Sequence, residues 1–175
     1  MKQQTVKHNF AKTRDIALMG ILLATAVVLS IVEGLFPIPA PVPGIRLGLS
    51  NIVVMFALLN MKKRYALIIA LLKALFVLLT RGVIAGILSA SGGLASVGVM
   101  ALLLFLFSGR ISYLLISVSG AAFHNIGQIA AASVILSTPL WIYLPILLVS
   151  AIITGFATSV ILKTTAPVLL RLRLK

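Results

Sequence analysis

The sequence contains no cysteine and only two acidic residues, Asp15 and Glu33, in 175. Without cysteine there is no disulfide scaffold. Charged residues make up 10% of the chain and hydrophobic ones 61%, whereas soluble domains are roughly a quarter charged. A chain this short has too little interior to hide so much apolar surface, which excludes a soluble globular enzyme. Disorder, which requires low hydrophobicity, is excluded with it. The two carboxylates fall at opposite ends of one apolar run and offer no pair for acid–base work. There is no GxxxxGK[ST] phosphate loop and no Ser–His–acid set. His8 and His124 are far apart, with no cysteine or acid clustered beside either, so neither a metal nor a cofactor is expected.

What the chain has in abundance is long apolar runs and positive charge. Its mean hydropathy is +1.22, and 15 Lys and Arg leave a net charge of +13. A bilayer core takes about 20 apolar residues as helix. By that measure a first span covers about Ile16–Leu35, and prolines at positions 37, 39, 41 and 43 stop it. The next run, Leu47–Asn60, is short and reads as tilted or partly re-entrant. A third span covers about Tyr65–Thr80. The Gly-, Ala- and Ser-rich stretch from Gly82 to Gly98 reads as a loop or half-helix, followed by a fourth span over Val99–Phe107. The fifth and sixth cover Ile111–Leu136 and Trp141–Leu162. The expectation is an all-α integral membrane bundle of six transmembrane helices forming a single domain, 1–175, with a basic arm at 1–15 and a basic tail at 163–175.

The bases lie between apolar runs and not along a soluble face, so they indicate topology and not a nucleic-acid partner. Twelve of the fifteen fall at the N-terminus, in the second-to-third and fourth-to-fifth turns, and in the tail. The positive-inside rule makes that side cytoplasmic, with both termini inside a multi-pass protein of the cell membrane.

Arg46, Lys73 and Arg81 do not fit this set. Arg46 and Arg81 fall at the outer ends of the second and third spans, where a guanidinium can snorkel to the headgroups. Lys73 falls mid-span, where a charge is costly and commonly faces a cavity or a substrate path. Neither acid is expected at its depth. Helical spacing puts Lys73, Thr80 and Arg81 along one wall, a surface suited to a carboxylate or phosphate ligand. Lys73 has an alternative role, reaching backbone carbonyls, and Glu33 could instead pair with Arg46. In the fifth span Ser117, Gly120, Ala121, His124, Gln128 and Ala131 form a small and polar stripe with Asn125 beside it. These groups either contact a ligand or bond helices together. Asn51, close after Arg46, adds a polar group nearby. Gly20 and Ala24 in the first span have the spacing that lets another helix approach, within this chain or from a partner.

Three stretches, Ile45–Val53 (IRLGLSNIV), Ser89–Met100 (SASGGLASVGVM) and Gly120–Ile129 (GAAFHNIGQI), resemble the Gx transporter family, also called heptaprenyl diphosphate synthase component I. The HNxGQ segment at His124, Asn125, Gly127 and Gln128 is the most specific part. The resemblance implies similarity to the substrate-binding S components of energy-coupling factor transporters. These are six-helix proteins that rely on a transmembrane coupling subunit and two ATPases. It further implies a partner contact at Gly20 and Ala24, a ligand site near the outer face, and a lid containing the prolines at 37–43. The synthase name sits poorly with catalysis by this chain, because prenyl transfer needs aspartate clusters to hold magnesium and only Asp15 is present.

The expected function is therefore a substrate-binding subunit for uptake of a small anionic or isoprenoid-related molecule, energised by a separate module. Arg46, Lys73 and Arg81 would supply charge, and Asn51, His124, Asn125 and Gln128 polar contacts. The alternative is a non-catalytic accessory subunit of a heptaprenyl diphosphate synthase. A membrane protein without any ligand is the third class.

Overall fold

The computed structural model describes residues 2–35, 46, 48–107 and 110–174, with the side chains of 2–12 and 166–174 outside that description. The prolines at 37–43, Lys2, Lys7 and Lys12 of the terminal arm, and the bases of the tail beyond 165 lie outside the described side chains. The described residues form six α-helices and no strand: α1 (Lys2–Leu35), α2 (Asn51–Asn60), α3 (Lys63–Arg81), α4 (Val83–Leu106), α5 (Tyr113–Ile135) and α6 (Leu144–Leu174). A short 3₁₀ turn, Trp141–Tyr143, leads into α6. The all-helical expectation holds.

Four helices are long and apolar enough to cross a membrane, within Thr13–Leu35, Val83–Leu106, Tyr113–Ile135 and Trp141–Thr165. Their outer faces carry bare aliphatic side chains such as Ile21, Leu102 and Ile153. In water such surfaces would aggregate; in lipid they are solvated. α3 has sufficient length, but Lys63, Arg64, Lys73 and Arg81 interrupt its apolar character.

Two elements differ from the sequence expectation. α2 has only 10 residues, and Asn51 to Leu58 are all buried. It touches all five other helices, so it is a core plug and not a lipid-facing span. α4 is one continuous helix from Val83, where a loop or half-helix was expected over 82–98. Its small residues are where α5 comes close. A methyl added to Gly92 would lie 2.8 Å from the His124 ring and its carbonyl oxygen, and one on Gly127 would lie 2.8 Å from the Ser91 carbonyl oxygen. Packing against α5 offsets the poor intrinsic helicity of glycine.

Tight joints place the functional side chains. Gly82 alone separates α3 from α4, at φ +91°, a conformation glycine adopts without steric cost. This fixes the end of α3 against the start of α4. Gly48, at φ +86°, makes the turn that launches α2, its carbonyl accepting from Asn51 N at 2.8 Å. The main core gathers around α2, with Val54, Ala57, Ile69, Met100 and Ile116 nearly solvent-free. A smaller cluster around Leu88, Ile129 and Leu147 closes α4, α5 and α6.

Candidate functional site

Five parts of the chain contribute to one small cavity. Helical periodicity accounts for most of its lining, because residues three or four apart share a face. α1 supplies Ser30 and Glu33; α3 supplies Lys73, Val77 and Arg81; α4 supplies Ala85 and Ser89; α5 supplies His124 and Gln128. The stretch before α2 adds Arg46 and Ser50. The cavity has room for about 20 Å³ of solvent, enough for one or two waters.

Lys73 is 2% exposed, midway along α3. Its Nζ donates to Ser50 Oγ at 3.1 Å and to Asn51 Oδ1 at 3.3 Å. A buried ammonium held only by neutral oxygens is poorly compensated. Glu33, 2% exposed, lines the same cavity, contrary to the expectation that neither acid reaches the depth of Lys73. The reason is tertiary: the last turns of α1 lie against α3, a proximity no linear pattern encodes. Glu33 does not pair with Arg46. Its Oε1 instead accepts the backbone N–H of Gly48, with Lys73 and Arg46 as its electrostatic neighbours.

The two arginines lie at the α1 end of the cavity. Arg81 donates from Nη2 to the carbonyl of Ser30. The backbone N–H of Arg46 donates to Gln128 Oε1 at 2.9 Å, and Gln128 Nε2 returns a long bond to the Arg46 carbonyl at 3.5 Å. The same amide faces His124 Nε2, which makes that nitrogen the acceptor and places the ring proton on Nδ1. Nδ1 is directed at the backbone of Gly92 without closing a well-formed hydrogen bond. His124 and Gln128 thus fix the path of the chain at Arg46.

Of the residues singled out in the sequence, Arg46, Lys73, Arg81, His124 and Gln128 line the cavity, and Asn51 reaches it through Lys73. Asn125 does not. Its Nδ2 donates to the Leu147 carbonyl at 2.7 Å, joining α5 to α6. Thr80 is also corrected: it is exposed, and its hydroxyl bonds back to Phe76 O at 2.8 Å. Val77, four residues after Lys73, lines the wall between Lys73 and Arg81. Gly20 and Ala24 lie on the exposed face of α1, and nothing would meet a methyl on Gly20 within 4 Å. Sequence reasoning missed Ser30, whose spacing of three from Glu33 was the available signal.

Three cations against one carboxylate leave the lining with an excess of two positive charges. Asp15 is 18 residues from Glu33 on the same helix, about 27 Å by helical rise, so no second carboxylate acts with Glu33. Such an excess is one that an anion would offset, and the lining holds a single carboxylate and no carboxylate pair.

The chain matches the family described as heptaprenyl diphosphate synthase component I over residues 22–165, and it belongs to that family. Searches of curated proteins and of solved structures give no match.

Proposed function

We propose that this member of the heptaprenyl diphosphate synthase component I family is a membrane-embedded, non-catalytic subunit that holds an anionic ligand and works beside a separate catalytic subunit. One observation carries the ligand part of the reading: Arg46, Lys73 and Arg81 share a cavity with Glu33 as the one carboxylate. Uncompensated charge in a low-dielectric setting is expensive, and an anion is what offsets it. Arg46, Lys73 and Arg81 are the charge contacts of this reading, with His124, Gln128 and Asn51 as polar contacts. Asn125 is a helix tie. The family description supports the partner, a prenyl-chain synthase subunit carrying the magnesium-binding acids that this chain lacks. Affinity purification from native membranes tests it directly. A soluble prenyltransferase should copurify stoichiometrically, and its absence under conditions that keep the membrane subunit folded rejects the assembly.

A second reading, an uptake subunit, draws on the exposed face of α1. Ala17, Gly20 and Ala24 leave a smooth strip there that a transmembrane helix can approach closely. On this reading a coupling subunit with ATPases docks at Gly20 and Ala24 and both termini are cytoplasmic. Gly20→Leu should then abolish solute accumulation while leaving the purified chain folded. Accumulation unchanged by that bulk removes the contact.

A further inference from the structure

The single carboxylate of the cavity does not do what a carboxylate among cations ordinarily does. Glu33 is buried and shares its lining with three positive charges, yet among the described residues none of them closes an ion pair with it. Lys73 Nζ donates to Ser50 and Asn51, and Arg81 donates to the Ser30 carbonyl. Both guanidinium groups gather instead one residue further along α1. A methyl added to Gly34 would lie 2.8 Å from Arg46 Nη1 and 3.0 Å from Arg81 Nη2. One residue along a helix turns the side chain by about 100°, so the arginines lie at the flank of Glu33 and not on it. What holds Glu33 is main chain: its Oε1 accepts the N–H of Gly48, in the turn at φ +86° that launches α2.

A carboxylate paired with a cation can be displaced by an anion that takes the same cation. One tied to the main chain stays, and its charge belongs permanently to the lining. An arriving anion is then drawn by three cations and repelled by Glu33, at short range and in a medium of low dielectric. Without Glu33 the lining would have three positive charges; with it the excess is two. The carboxylate therefore lowers the affinity for every anion, and most for the most highly charged, because repulsion scales with the charge of the ligand. Such a group sets specificity by what it turns away. We infer that Glu33 is a specificity-determining residue, a negative charge held by backbone that limits the anion accepted by Arg46, Lys73 and Arg81 to two charges. This deepens the anion-binding reading and rests on it. The Gly48 bond also makes glutamine the informative substitution, since a side-chain amide oxygen accepts the same N–H without the charge.

The test uses the full chain in nanodiscs of neutral lipid and two tetrahedral probes, perchlorate with one charge and sulfate with two. Each affinity is compared between the parent and Glu33→Gln, so that the hydration of the probe itself cancels. Perchlorate should bind the variant roughly tenfold more tightly and sulfate roughly a hundredfold, because losing one neighbouring charge counts twice for a dianion. Ser30→Asp adds a second carboxylate to the same lining, three residues before Glu33. It should move both affinities the other way, sulfate again the more. If Glu33 only anchors the turn, the glutamine variant keeps that anchor and matches the parent for both probes. That result overturns the charge limit and leaves anion binding standing. Equal gains for the two probes overturn it as well, since a relaxed turn and not charge then accounts for the change. Should Glu33→Gln fail to fold, Ser30→Asp decides alone, and a sulfate affinity that falls no further than the perchlorate affinity refutes the limit. No binding of either probe by any of the proteins, or binding untouched by Lys73→Met, overturns the anion reading itself.

Discussion

Two polar chambers lie side by side in this bundle, and they are built to different ends. The charged cavity between α1, α3, α4 and α5 holds three cations and a carboxylate. Its neighbour, with about 10 Å³ of free space, is lined by neutral groups from α2, α4, α5 and α6, among them Ser96, Ser117, Thr154 and Thr158. Asn51 lines the neutral chamber and reaches the charged one through Lys73. Its Oδ1 accepts from Lys73, while its Nδ2 faces the neutral side and has no partner. In the neutral chamber the threonine hydroxyls bond back to their own helix, Thr158 to Thr154 O at 2.7 Å and Thr154 to Ser150 O at 2.9 Å. Ser96 Oγ and Ser117 Oγ remain unpaired. An unpaired hydroxyl costs far less than an unpaired ammonium. The neutral chamber is therefore tolerable as a by-product of small residues at helix contacts, and the charged one calls for a partner.

Substituting Lys73 should break this contrast most strongly. Lys73→Met should weaken anion binding by about 1.5–3 kcal/mol, the worth of a charged hydrogen bond, read as a ten- to hundredfold rise in Kd for a prenyl diphosphate used as the anionic probe. Folding should persist, because an apolar residue of similar length replaces a buried charge without strong penalty. Undiminished affinity would place the anion elsewhere. Gly92→Ala comes next. The added methyl meets the His124 ring and backbone at 2.8 Å, so thermal unfolding in detergent should show a loss of about 1–3 kcal/mol. An unshifted transition would mean that α4 and α5 can part at no cost. Ser96→Ala and Ser117→Ala should sharpen the comparison by doing little. Each removes an unpaired hydroxyl, so stability should move by less than about 1 kcal/mol and anion affinity not at all. A large fall in either would show that the neutral chamber also serves the ligand. The smallest effect belongs to Gly20→Ala on the bare face of α1, within about 0.5 kcal/mol in the isolated chain; a larger shift in the same unfolding measurement would place that face against a neighbour.

Much of this was legible in the sequence where hydropathy alone decides. The apolar runs located the long apolar parts of α1, α5 and α6, and the whole of α3, to within a few residues, and charges out of place picked out Arg46, Lys73 and Arg81. Hydropathy does not distinguish an apolar helix facing lipid from one enclosed by protein, which is why α2 read as a short span. The start of α4 read as loop because Gly, Ala and Ser have weak or uninformative helical preference alone. Their helicity depends on α5 being present. Glu33 and Ser30 joined the cavity through the docking of α1 on α3, a long-range event. Asn125 misled for a local reason: one residue along a helix turns a side chain about 100° away from its neighbour's face, from the cavity to α6.

The interlock at Gly92 and Gly127 has a mechanical consequence. Helices meshed backbone to backbone cannot slide or tilt without collision, so α4 and α5 form the fixed half of the bundle. α1 leans substantially on α2 and α3 alone, and it is the stave with least to hold it. Because Glu33 rides on that stave and grips the amide of Gly48, tilting α1 tugs on the turn that carries Arg46. Any shift of α1 would therefore carry Glu33 and the Gly48 turn with it, and the bare surface at Gly20 and Ala24 lies on the same stave.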